Sequence, residues 1–362
     1  MKITDVIGHV LSIPRTPYHW RKGIPSLGGN RDAFLLRVIT DTGIEGNCFA
    51  IAHGEALALA TEQHLKPLVL GKDALDREML WQMLWDVGRG TIQIQPALSV
   101  FDVCLWDAAA KRADLPLYKY IGAYRDKILA YASTFTLDSI DEYRVLARDC
   151  VGRGYKAIKM HLFGDVKMDI EACRAVRDEV GPDIALMLDA SGGYTYEEAL
   201  WAGRELEKLG FEWFEEPLRD YQMRALSELH QRLEIPLCIA ETGRDTYFDV
   251  ANNILLRTGS FVHAGWQRKN GITALLKVAH VCEAFGMRCQ LHRGEIPNLH
   301  VGLAIPNCRY VEQIVPEDSF HFCLKTPPIV PDADGYVRPP PGPGLGYAID
   351  WDEVAQCTVR KV

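Results

Sequence analysis

The sequence lacks any apolar run near the roughly 18 residues needed to cross a bilayer, so no membrane partner is expected. It also lacks a cationic surplus. Forty Lys and Arg face 48 Asp and Glu, a formal net charge of −8, and the basic residues are dispersed. That argues against a nucleic-acid surface, which needs clustered positive charge. No Gly-x-Gly-x-x-Gly follows the first strand-like stretch, and no glycine-rich phosphate loop occurs late in the chain. The ten cysteines include no Cys-x-x-Cys pair for zinc. Cys104, Cys150, Cys238, Cys282 and Cys289 sit in apolar runs, where a reduced thiol packs as a small hydrophobe. The first twenty residues alternate like a strand and show no signal-peptide pattern. A reducing, cytoplasmic setting is the expectation.

What is present is the composition of a globular enzyme: 362 residues, 48% hydrophobic and 24% charged. That length suggests a large catalytic unit with a smaller one. Residues 1–125 mix strands (Ile3 to Ile13, Ala33 to Thr40) with helical stretches (Gly54 to Val69, Ala97 to Ala113). From about residue 126 to 320 the texture changes to short apolar runs alternating with amphipathic helices. The runs are Leu129–Phe135, Ala157–His161, Ile184–Asp189, Phe211–Glu216, Leu237–Glu241, Phe261–Gly265, Met287–His292 and Arg309–Glu312. Thr195 to Glu198 has capping-box spacing, and Gly154, Gly210 and Gly286 stand where helices end. Eight such units fit a closed β/α barrel better than the alternative, an open doubly wound sheet. Residues 321–362, rich in Pro and Gly, are expected to return to the first 125.

The ends of these runs are unusually polar. In a barrel of this type, active-site groups project from the C-terminal ends of strands. Strand alternation puts Lys159 and His161 on one face, with Asp189 and His292 likewise opposed to apolar neighbours. Asp189 and Glu215 lie 26 residues apart, and so do Glu215 and Glu241. Each gap is one strand-helix unit, so the three carboxylates should stand on adjacent strands. Converging carboxylates repel one another unless a cation sits among them, and hard oxygen donors with room for water suit Mg²⁺.

The chain resembles the mandelate racemase and muconate lactonizing branch of the enolase superfamily over essentially its whole length. The matching features are Trp106-Asp107 ahead of Ala108–Leu117, then Tyr155–His161, Leu188-Asp189 and Trp213–Pro217. They continue through Asn270-Gly271-Ile272-Thr273, His292, Glu312 and Pro343-Gly344-Leu345-Gly346. The resemblance implies a modified (β/α)₇β TIM barrel, of α/β class, under an α+β capping domain. It implies Mg²⁺ on Asp189, Glu215 and Glu241, with Glu216 in a supporting structural place. It further implies removal of the α-proton of a carboxylate substrate, a small molecule such as an acid sugar, by a homo-oligomeric enzyme.

Two positions depart from the family pattern. Where many relatives carry Lys-x-Lys, this chain has Lys159-x-His161. Either His161 or Lys159 is then the base, since histidine titrates near neutrality without a large shift. His292 matches the histidine of the seventh strand, but its usual aspartate partner is replaced by Gly265. His263, one layer deeper, is a candidate to orient His292, though a core role is the preferred reading. Glu312 is read either as a substrate contact or as half of a salt bridge. His19 and Trp20, with Arg21 and Lys22, fall on a lid loop of about residues 16–30, and His53 on a second loop of about 50–54. Such loops close over the distal part of the substrate in the family. One base and one unsupported acid favour β-elimination of water from an acid sugar over racemisation, epimerisation or cycloisomerisation. An acid-binding protein without catalysis is the reading from another class.

Overall fold

A computed structural model describes residues 1–14, 29–91, 94–243, 246–315 and 322–362. His19 and Trp20, with Arg21 and Lys22, lie outside the described residues.

The first strands are β1 (Ile3–Pro14), β2 (Asn30–Thr40) and β3 (Glu45–Ala50), joined in antiparallel register. The β2–β3 turn uses Gly43 at φ 78°, a left-handed conformation that glycine adopts without steric cost. One face of this sheet (Val6, Phe34, Leu36, Cys48) belongs to the main core, which also takes in the helix Ile94–Arg112. That helix is buried almost all round, as an apolar helix between two layers must be. A side chain at Gly46 would collide with the carbonyl of Cys104, so the close approach of β3 to the helix depends on glycine there. The strand β3 and a helix at Arg77–Gly88 were not foreseen from periodicity. The helical stretch from Gly54 to Val69 forms, but with a π-helical turn at Thr61–Leu65. The turn sits just before Pro67, whose ring crowds the preceding carbonyls of a regular helix.

The barrel strands are β4 (Ile128–Thr134), β5 (Ala157–His161), β6 (Ala185–Asp189), β7 (Trp213–Glu215), β8 (Leu237–Ile239), β9 (Phe261–Ala264), β10 (Cys289–Leu291) and β11 (Tyr310–Val315). Each pairs in parallel with its neighbour, and β11 pairs with β4 to close the cylinder. Outside the ring, β12 (Tyr336–Val337) runs antiparallel to β4. Finally β13 (Thr358–Lys361) pairs with β1, giving the first sheet the order β13-β1-β2-β3. The capping box forms as expected, Thr195 and Glu198 satisfying each other's backbone N–H.

Strand parity divides the barrel wall. Ile158, Met160, Leu186, Leu188, Phe214 and Val262 join the core shared with the surrounding helices. Tyr131, Ala157, Met187, Trp213, Cys238, Phe261 and Tyr310 form a separate apolar cluster. Two residues further along the same strands come Lys159, Asp189, Glu215, His263 and Glu312. The lower interior is thus aromatic and the upper interior ionic.

Two sequence motifs tie the layers together. Asp102 accepts hydrogen bonds from the N–H and hydroxyl of Thr273, Trp81 donates to the Asn270 carbonyl, and Trp106 donates to Thr273. Asp107, paired with Lys111, accepts from the N–H groups of Asn47 and Leu345. Among the described residues, no helix is long and apolar enough to cross a membrane.

Candidate metal and acid-base site

Asp189 and Glu215 end adjacent strands in direct register, Asp189 opposite Glu215 and His161 opposite Asp189. Glu241 requires a different device. Strict alternation from inward-facing Cys238 would turn Glu241 towards the helices. Ala240 instead takes φ 68°, breaking the alternation just before Glu241. This left-handed alanine is strained backbone at a functional site, held in place by its surroundings. Asp220 accepts from the N–H groups of Ala240, Thr242 and Gly243, while the buried ammonium of Lys269 donates to the carbonyls of Ala240 and Gly243. Neither Asp220 nor Lys269 was singled out in the sequence, because their task is visible only once the loop geometry is known.

One carboxylate oxygen from each of Asp189, Glu215 and Glu241 lies within 4.8 Å of the others, and all three residues are buried. Such a set of hard oxygen donors fits a small divalent cation such as Mg²⁺. Around it stand four nitrogen bases. Lys159 Nζ lies 2.7 Å from Glu215, 3.0 Å from Glu312 and 3.4 Å from Asp189. Burial alone would depress its pKa, but the charges of Glu215 and Glu312 prevail and hold it above the ordinary lysine value. Glu312 therefore forms a salt bridge here, and its second oxygen accepts from the N–H of Arg293 at 2.5 Å. Burial would raise the Glu312 carboxyl, yet Lys159 and two histidines hold it well below the usual range.

His161 donates from Nδ1 to the Thr134 carbonyl at 2.7 Å, leaving Nε2 to face Asp189 Oδ2 at 2.9 Å. Against the effect of burial, Asp189 raises the affinity of this imidazole for a proton. His292 lies across the cluster with Nε2 3.1 Å from Glu241, and Asn298 holds its backbone carbonyl. Burial outweighs Glu241 and drives His292 down to about 3. At Gly265 a β-carbon would come within 3.1 Å of the His292 carbonyl, so the glycine lets the two strand ends approach closely.

His263 is fully buried, with Nδ1 2.6 Å from Glu215 and 3.7 Å from Glu241; its ring meets that of His292 edge to face. Its bond is to the carboxylate cluster, so it does more than fill the core. Burial opposes its protonation, but Glu215 raises it to about 10. Glu216 takes φ 38° and accepts from the Thr242 N–H at 3.4 Å. Burial and the neighbouring Glu241 push its carboxyl well up. His53 is exposed, at φ 66° before the helix Gly54–Ala60, and caps no N–H with its side chain.

Residues 142–354 match the family described as Enolase C-terminal domain-like. Residues 27–122 match the Mandelate racemase / muconate lactonizing enzyme, N-terminal domain. The chain belongs to the mandelate racemase and muconate lactonizing branch of the enolase superfamily. Within that branch it is similar to several enzymes of different outcome. Arabinonate dehydratase of Saccharolobus solfataricus is 30% identical over 353 residues, covering 89% of this chain and 93% of the relative. L-Ala-D/L-Glu epimerase of Clostridium acetobutylicum is 28% identical over 296 residues, covering 79% and 80%. Among solved structures, D-glucarate dehydratase from Agrobacterium tumefaciens complexed with magnesium superposes with a TM-score of 0.93 at 36% identity, covering 99% of this chain and 100% of that one.

Proposed function

We propose that this protein is a Mg²⁺-dependent acid-sugar dehydratase. The observation that carries the reading is the unequal pair of imidazoles flanking one carboxylate cluster, His161 on Asp189 and His292 on Glu241. Asp189, Glu215 and Glu241 would hold the cation, and when bound it supplies positive charge where the enolate's negative charge develops. His161 takes the α-proton at Nε2, because its Nδ1 hydrogen is committed to Thr134. Lys159 stays charged and faces the substrate carboxylate. His292, held on Glu241 across the cluster from His161, would hand the departing β-hydroxyl a proton that it takes up from solvent. The dehydratases among the relatives support the same outcome.

The test is a panel of mono- and diacid sugars, with EDTA controls, assayed for a semicarbazide-reactive 2-keto-3-deoxy acid. Product that depends on Mg²⁺ is the expected result. Unchanged activity in His161→Asn and Lys159→Met variants would refute it. A second reading, epimerase or racemase, draws support from Glu241, which gives His292 a carboxylate at 3.1 Å and hence a route to basicity. Incubation in D₂O separates the two, because epimerisation exchanges the α-hydrogen without losing water. Binding of an acid sugar and Mg²⁺ with no exchange for any acid would mark a non-catalytic binding protein.

A further inference from the structure

A second cluster of metal-ligating side chains lies on the other face of the N-terminal sheet. Cys323, Glu353 and Cys357 are distant in sequence, yet one sulfur or oxygen of each lies within 4.8 Å of the other two. Glu353 and Cys357 are one helical turn apart on the helix Trp351–Cys357, so both side chains fall on one face. Cys323 reaches them because its segment runs antiparallel to the chain entering that helix. Leu324 bridges Ile349, the Asp350 N–H donates to the Cys323 carbonyl, and the Lys325 N–H donates to Ala348. Cys323 itself takes φ 54°, a left-handed conformation that a non-glycine residue adopts at a cost.

The surroundings point to a ligand. Cys323 is buried against Leu11, Leu35, Phe49 and Val354, while Glu353 and Cys357 are half-buried at the edge of that cluster. Among the described residues, the Glu353 carboxylate makes no ion pair or side-chain hydrogen bond. A carboxylate beside two soft sulfur atoms is a mixed donor set in which the thiols would give up their protons as a metal binds. We propose that Cys323, Glu353 and Cys357 form a site for a thiophilic divalent cation of the zinc class, separate from the barrel's carboxylate cluster. Two sulfurs and one carboxylate supply three of four tetrahedral positions, and the half-exposed side admits a water as the fourth. Thiolate donors select zinc or cadmium over Mg²⁺. Metal–sulfur bonds of about 2.3 Å are reached by rotamer adjustment within the existing spread. The bound ion would pin the C-terminal helix to the segment that follows barrel strand β11.

The test is a Cd²⁺ titration of the reduced full-length protein, with Mg²⁺ in excess to occupy the barrel carboxylates. The readout is the ultraviolet thiolate-to-cadmium charge-transfer band. A band saturating at one equivalent is expected, absent in the Cys323→Ser/Cys357→Ser double variant and unchanged in Cys238→Ala. The last comparison matters because Glu215, Cys238 and His263 also cluster within 4.8 Å. Glu353→Gln should weaken binding about tenfold or more. One equivalent of Zn²⁺ should raise Tm in the parent chain and not in Cys357→Ser, a half-exposed change that the fold tolerates. No band, or a band that survives Cys357→Ser and is lost in Cys238→Ala, would overturn the proposal.

Discussion

The lower and upper halves of the barrel interior are built from the same strands with the same pleat, yet they are opposites chemically. Below, Tyr131, Trp213, Phe261 and Tyr310 meet edge to face, with Trp213 5.6 Å from Tyr131 and 5.5 Å from Phe261. Aromatic pairs in that arrangement stabilise beyond their buried area. Two residues above Ala157, Met187, Trp213, Phe261 and Tyr310 stand Lys159, Asp189, Glu215, His263 and Glu312. Burying charge is costly, and pairing only partly offsets it. The lower layer holds the cylinder together, and the upper layer spends part of that stability on chemistry. The Trp213 indole crosses the boundary by donating to Glu215 Oε2 at 3.0 Å.

Substitutions can break this contrast, beginning with the strongest effect. Asp189→Asn should lower turnover by about a thousandfold or more, the scale expected when a charge-stabilising group is lost from an active site. Its Tm should fall modestly, because, against the effect of burial, His161 and Lys159 hold this carboxyl well below the usual range and so stabilise its charged form in the folded site; steady-state assay and thermal melting check both halves. Trp213→Ala should act chiefly on the fold, costing about 3–5 kcal/mol of stability by leaving a large void, measured by chemical denaturation. Between the histidines, His161→Asn should abolish α-hydrogen exchange in D₂O. His292→Asn should keep exchange while slowing water loss by about a hundredfold to ten-thousandfold. Equal loss of exchange in both variants would favour the two-base reading. Away from the barrel interior, Thr195→Ala removes the capping box and should cost about 1 kcal/mol with turnover intact.

Much of this was legible in the sequence, for physical reasons. The 26-residue spacing works because each strand-helix unit repeats in length, so Asp189 and Glu215 arrive in register. Pleat parity placed Lys159 with His161 and separated Glu216 from Glu215. What the sequence concealed depends on backbone outside ideal strands. Glu241 converges only because Ala240 is left-handed, and the Asp220 and Lys269 contacts that hold that turn come from other loops. The contact between His292 and Glu241 was hidden too, because Gly265 directs attention to a missing aspartate on strand β9. The Asn270–Thr273 and Gly344–Leu345 motifs carried the resemblance, but their role in docking helix Ile94–Arg112 emerges only from the hydrogen bonds of Asp102 and Asp107. The pairing of Cys323 with Cys357 has no local signature at all.

The proposed reaction depends on one cation shared by carboxylates from β6, β7 and the end of β8. Crystals grown with Mn²⁺ in place of Mg²⁺ would test it through an anomalous difference map. The expected result is a single strong peak within bonding distance of Asp189, Glu215 and Glu241. A peak lodged instead between Glu215, Cys238 and His263, or none inside the barrel, would contradict it.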